Sequence, residues 1–169
     1  FVWAMQEASG FDLEHFKLWY SQSGTPEVDI KTAFDKEDKT FSLTLTQSYL
    51  SPTQTDQKPY FFPFQLGLLD RSEDENTLDL SSSEGQPFID RGVLLISKEE
   101  ETFVFKGITE EPVMSLNRNF SAPVKVHTSY SLEEYAFLMG HDSDEFNRFE
   151  ASQVIAGMVL HKLIDAVEG

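Results

Sequence analysis

The chain is 169 residues long, enough for one domain of ordinary size or one domain with helical additions. It has no cysteine, which excludes disulfides, thiolate zinc sites, iron–sulfur clusters and a cysteine nucleophile. With 13 basic against 29 acidic residues the formal charge is −16, which repels nucleic acid and anionic membrane, and no run of lysine or arginine overrides it.

The first nine residues read as the end of a helix, with Phe1, Met5 and Ala8 at helical spacing and Gly10 as its C-cap. Asp12 can cap a second short helix, with Leu13, Phe16 and Tyr20 as its apolar stripe and Trp19 beside it. Ser23-Gly24-Thr25-Pro26 ends that helix, because Pro26 biases Thr25 toward an extended backbone. The period then changes from helix to strand. Val28 and Ile30 begin a strand, Asp35–Lys39 reads as a hairpin turn, and Phe41, Leu43 and Leu45 alternate with Ser42, Thr44 and Thr46. Tyr60, Phe62, Phe64, Leu66 and Leu68 form a second alternating set, in which Pro63 predicts a sheet edge or a bulge.

Residues 70–92 are polar and acidic, with a short strand expected near Thr77–Leu80. Val93–Ile96 and Thr102–Phe105 read as strands around a Lys98–Glu101 turn. Val113–Phe120 is another, and Val124, Val126, Thr128 and Tyr130 alternate in a final one. That makes about seven strands between residues 26 and 130 with no intervening helices. The expected fold is mainly β, an immunoglobulin-like β-sandwich flanked by N-terminal and C-terminal helices. Ser131 and Glu134 have capping-box spacing for a helix that Gly140 interrupts. Asp142 or Ser143 then caps a longer helix to about Val167, whose apolar face is wide enough to need cover on more than one side.

No stretch reaches roughly 18 apolar residues, so no membrane span is expected, and no signal peptide is visible. The chain starts without an initiator methionine and stops within an apolar helical pattern, which reads as an excised piece of a longer protein.

Candidate chemistry is sparse. None of His15, His127, His141 and His161 lies in an HExxH arrangement or has another histidine three or four residues away. His141 with Asp142, Asp144 and Glu145 suggests a mixed metal site less well than an acidic helix start, and His15 reads as a solvated helix face rather than a partner contact. Asp70, Ser72, Asp74 and Asn76 have partial calcium-loop spacing, but the required glycine and terminal glutamate are out of register. Asn119-Phe120-Ser121 is a glycosylation sequon without a secretory context. There is no GxSxG, GxGxxG or P-loop. No catalytic, cofactor-binding or metal residue is assigned. Trp19 and Phe120 are expected to pack, and Phe146 and Phe149 to anchor the second helical region.

Three stretches are more specific than any of these patterns: Trp19-Tyr20-Ser21-Gln22-Ser23-Gly24-Thr25-Pro26, Asn119-Phe120-Ser121-Ala122-Pro123-Val124-Lys125, and His141-Asp142-Ser143-Asp144-Glu145-Phe146-Asn147-Arg148-Phe149-Glu150-Ala151. Together and in this order they resemble the bacterial aminopeptidase N (alanyl aminopeptidase) family of zinc gluzincins, across essentially the whole chain and most weakly through 70–92. Phe149 stands where many relatives carry tryptophan. The resemblance implies that residues 1–24 are the C-terminal helices of a catalytic domain, 25–130 a β-sandwich domain, and 131–169 the start of an α-helical domain.

It also implies a cytoplasmic parent enzyme that removes N-terminal amino acids from peptides, with zinc held by HExxH and a distal glutamate. Zinc supplies the Lewis acid and the activated hydroxide, and carboxylates select the ammonium end of the peptide. None of those motifs occurs in this sequence, so the segment alone is expected to be inactive and to hold no zinc. Its expected partners are the flanking catalytic and helical domains, with peptides as substrates of the parent and neither nucleic acid nor membrane. The alternative is a stand-alone β-sandwich protein-interaction module, with a carbohydrate-binding sandwich or a small hydrolase behind it.

Overall fold

A computed structural model describes residues 1–49, 57–71, 88–89 and 92–168. Helix α1 (Val2–Ser9) ends at Gly10, whose φ of 72° lets its N–H return to the Gln6 carbonyl at 2.9 Å. The Asp12 carboxylate accepts the Glu14 N–H at 2.9 Å, and a 3-10 turn over His15–Lys17 runs into the short helix α2 (Leu18–Ser21).

The sandwich follows, with eight strands among the described residues: β1 (Pro26–Asp35), β2 (Thr40–Tyr49), β3 (Phe62–Leu69), β4 (Phe88–Ile89), β5 (Val93–Ile96), β6 (Glu100–Lys106), β7 (Val113–Leu116) and β8 (Lys125–His127). One sheet has the order β6-β2-β1-β8 and the other β4-β5-β3-β7. The β1–β2 hairpin turns where expected. The Asp35 carboxylate accepts the N–H groups of Glu37 and Asp38, and Lys39 supplies the left-handed residue with φ 53°. Strand β8 lies parallel to β1, pairing Glu27–Asp29 with Lys125–His127.

The alternating residues become the core. Phe41, Leu43 and Leu45 of β2, Phe62, Phe64, Leu66 and Leu68 of β3, and Phe103 and Phe105 of β6 are buried, with Val28, Leu94 and Ile96 completing the layer. Period-2 side chains from two facing sheets fill this space.

Several boundaries differ from the sequence expectation. The edge expected at Pro63 is present locally, although β3 as a whole lies between β5 and β7. The proline is tolerated because β3 changes partners midway: Phe62–Gln65 pair with β5, and β7 pairs only from Leu66 onward. The strand expected over Val113–Phe120 stops at Leu116, because Asn117 turns left-handed and a 3-10 turn follows over Arg118–Phe120. The last strand covers only Lys125–His127, because Tyr130 leaves the ladder and gives its hydroxyl to the Met114 carbonyl at 2.7 Å. Strand β6 begins at Glu100, inside the expected turn. The strand expected near Thr77–Leu80 falls outside the described residues.

Helix α3 (Leu132–His141) starts with the expected capping box between Ser131 and Glu134, and it continues through Gly140 rather than breaking there. Helix α4 (Glu145–Glu168) is capped by Asp144, not by Asp142 or Ser143: the Asp144 carboxylate accepts the Asn147 N–H at 2.9 Å. No helix among the described residues is long and apolar enough to cross a membrane.

Candidate functional site

Among the described residues, polar side chains join the flanking helices to the sandwich at two joints, one at each end. At the N-terminal joint, residues 15–23 lie on the run 57–62 that leads into β3. His15 Nε2 donates to the Pro59 carbonyl at 2.8 Å, and Trp19 Nε1 donates to the Phe61 carbonyl at 2.8 Å. The Gln22 amide grips Lys58 twice, donating to its carbonyl at 2.9 Å and accepting its N–H at 2.7 Å. Gln57 returns a bond to the Ser23 carbonyl. Apolar contact backs these bonds. The Trp19 ring lies 4.4 Å from that of Tyr60 and 6.4 Å from that of Phe62, and His15 stacks on Phe61. Beneath them buried Gln47 accepts the Tyr60 N–H and donates to the carbonyls of Tyr60 and Lys98. His15 is therefore half-buried and bonded at this joint rather than a fully solvated helix face, and Trp19 rather than Tyr20, which is 67% exposed, faces the core.

At the C-terminal joint, the loop after β7 meets the corner between α3 and α4. Asn117, Asn119 and Phe120 all have positive φ, at 51°, 54° and 51°. The Asn117 side chain stands in for the missing ladder: its oxygen accepts from Ser121 Oγ and the Ala122 N–H, and its amide donates to the Ala122 carbonyl. Arg118 reaches across to Ser143 Oγ at 2.6 Å and to the Asp142 carboxylate at 3.4 Å, with the Asp142 side chain wholly buried. The Asn119 N–H donates to the second Asp144 oxygen at 2.9 Å. Asn147 donates to Ser115 Oγ, and the ring of Phe120 lies 5.5 Å from that of Phe146. A small apolar cluster of Leu69 and Val113 with Leu138 and Ala151 closes the joint, beside the edge-to-face pair Tyr130–Tyr135. Burial, reinforced by Tyr135, Glu134 and Asp142, holds the Tyr130 phenol well above its ordinary pKa.

The packing expectations are met unevenly. Phe120 touches Phe146 yet stays 54% exposed, and Phe149 is 58% exposed, so Phe149 anchors nothing here. Its position on α4 turns it away from the sandwich, toward the same open surface as Leu160, Leu163 and Ile164.

Among the described residues no three His, Asp or Glu side chains converge to hold a metal ion. Each histidine faces one oxygen instead: Pro59 O for His15, Glu27 Oε2 for His127, Phe137 O for His141 and Gly157 O for His161. His127 and Lys125 together lower the pKa of Glu27 on the sheet surface. Of the partial calcium spacing, only Asp70 lies within the described residues.

The joints explain which stretches carry the resemblance. Trp19–Pro26 builds the first joint, while Asn119–Lys125 and His141–Ala151 are the two sides of the second. Sequence reading missed Gln22, Gln47, Asn117 and Arg118. Asn117 carried one signal, since asparagine is enriched in left-handed backbone.

Residues 24–129 match the family model of DUF3458, described as a domain of unknown function with an Ig-like fold, and residues 132–169 match DUF3458_C, described as ARM repeats. The chain belongs to the DUF3458 family. It is homologous to a segment of bacterial aminopeptidase N proteins. Identity is 38% over 154 residues to that of Escherichia coli, covering 90% of this chain and 17% of the relative. It is 34% over 165 residues to that of Haemophilus influenzae, covering 96% and 18%. It is 40% over 156 residues to that of Caulobacter vibrioides, covering 92% and 17%. Among solved structures, Legionella pneumophila aminopeptidase A in complex with aspartic acid matches with a TM-score of 0.75 and 28% identity, over 94% of this chain and 16% of that one. The chain thus spans less than a fifth of the length of the curated relatives it matches.

Proposed function

We propose that this chain is the noncatalytic interdomain segment of a zinc-dependent aminopeptidase that removes N-terminal amino acids from peptides. Residues 1–24 are the last helices of the catalytic domain, 25–130 the sandwich, and 131–169 the start of the helical domain. The sandwich is a rigid spacer that sets the helical domain at a fixed position relative to the catalytic one. The observation that carries this reading is the placement of all three family-like stretches at the two joints. Most of the exposed large apolar residues support it, because they lie on or next to the flanking helices, among them Phe1, Trp3 and Met5 at one end and Leu160, Leu163, Ile164 and Val167 at the other. Faces of this kind need cover, and the neighbouring domains supply it. Zinc, peptide and the chemistry of hydrolysis belong to the rest of the parent, and a cytoplasmic location is part of the same reading.

The test is the parent reading frame, followed by assay of its product. An HExxH with a distal glutamate upstream, and zinc-dependent release of amino acids from aminoacyl reporters, is the expected result. The 169-residue chain alone is expected to release none. A frame confined to this segment would overturn the proposal and leave the apolar helix faces to a separate protein partner.

A further inference from the structure

We propose that the C-terminal joint is a latch, in which Arg118 and the Asp142–Asp144 corner hold the strained loop 117–120 closed and so fix the direction of α3 and α4. This goes beyond the interdomain reading and stands on this chain alone.

The loop stores its strain at Phe120: Asn117 and Asn119 belong to a residue type that visits the left-handed region readily, whereas Phe120, at φ 51°, has no polar side chain to offset it. Bonds from the helical side hold that backbone in place, namely Asp144 on the Asn119 N–H, and Ser143 with Asp142 on Arg118. Asp142 depends on the same contact. One of its oxygens takes the Asp144 N–H and faces Arg118, while the other is buried without a hydrogen-bond partner. Without the guanidinium, that carboxylate is a buried charge lacking its counterion, and separation of the joint is its route to water.

The chain passes from the sandwich to α3 through residues 128–131, which have no regular structure and are held by Tyr130 on the Met114 carbonyl and Thr128 on Tyr135, so these residues are where the helices would turn. Beside the latch the joint holds the small apolar cluster, the tyrosine pair, the Phe120–Phe146 contact, the Asn147–Ser115 and Thr128–Tyr135 bonds and the Arg71–Glu134 ion pair, and release must break these as well. The two states are therefore discrete. In the latched state the loop is left-handed and Asp142 is sealed. In the released state Phe120 relaxes to negative φ, Asp142 meets water, and the helices pivot about 128–131.

The absence of native cysteine makes the test clean. Spin labels on Lys36→Cys in the β1–β2 turn and Lys162→Cys in α4 report the sandwich-to-helix distance by pulsed electron resonance. Labels on Lys36→Cys and Glu99→Cys report the sandwich itself. The native chain should give one narrow sandwich-to-helix distance. Arg118→Ala should raise the released-to-latched ratio by roughly 100-fold, as breaking a buried pair does, with the sandwich distance unchanged. Asp142→Asn, which keeps the side-chain size, should shift it the same way by less. In the Arg118→Ala background, Phe120→Gly should keep more of the latched population than Phe120→Ala, because both lose the ring and only glycine escapes the left-handed penalty. Distances as narrow as native in both single variants would overturn the latch, and equal latched populations for the glycine and the alanine would overturn the role of strain.

Discussion

The two joints are built on different principles. The N-terminal joint sets side chains against backbone: His15, Trp19 and Gln22 bond carbonyls and an N–H of the run 58–61, over the Trp19–Tyr60 contact. Backbone acceptors do not ionise and do not change with the residue that carries them. The C-terminal joint adds side-chain pairs to its backbone bonds, with a buried ion pair, a left-handed loop and a small apolar cluster. The first is a fastening that depends on shape and apolar burial. The second depends on charge, protonation and strain, and a few atoms control it.

The largest effect should come from breaking the first joint. Trp19→Ala removes the indole from Tyr60 and Phe62 and the bond to Phe61, and is expected to cost about 3 kcal/mol in denaturant unfolding while freeing residues 1–24 to proteolysis. The same protease should leave the α3–α4 side unchanged.

Tyr130→Phe strikes the second joint and leaves the Met114 carbonyl without its donor, at roughly 1–3 kcal/mol. It also tests protonation. Because the folded-state pKa is raised, the unfolded chain loses its phenol proton first, near 10.0. The contribution of Tyr130 is therefore complete below pH 10 and declines as pH rises from there toward the folded-state value. Stability measured between pH 9 and about 12 should fall less steeply in Tyr130→Phe than in the native chain. Equal slopes would show that the phenol is not sealed in the joint.

The smallest effect is expected from Ser131→Ala. It removes the acceptor of the Glu134 N–H and half of the capping box, for about 1 kcal/mol, and faster amide exchange should be confined to the first turn of α3.

The sandwich was legible because burial imposes a period of two: Phe41, Leu43 and Leu45, or Phe62, Phe64 and Leu66, declare their face in the sequence. The capping box was legible because both its partners lie within four residues. The joints were not. Trp19 finds its acceptor 42 residues away and His15 finds its own 44 away, on backbone atoms that every residue carries. Asp142, Ser143 and Asp144 are all competent caps, and only the approach of Asn119 and Arg118 decides which carboxylate turns to the helix and which to the ion pair. The three family-like stretches marked the right residues without revealing that the last two face one another.

The most direct test of the joint account is amide hydrogen exchange on the intact chain, followed at Lys58 and Asn119. Each of these N–H groups bonds a side-chain oxygen at one joint, Gln22 Oε1 and Asp144 Oδ2 respectively. Both should exchange far more slowly than an open chain if the helices are fixed to the sandwich. Exchange at open-chain rates at both, with the β1–β2 amides still protected, would show that the sandwich folds without fastening either helical segment and would contradict the account.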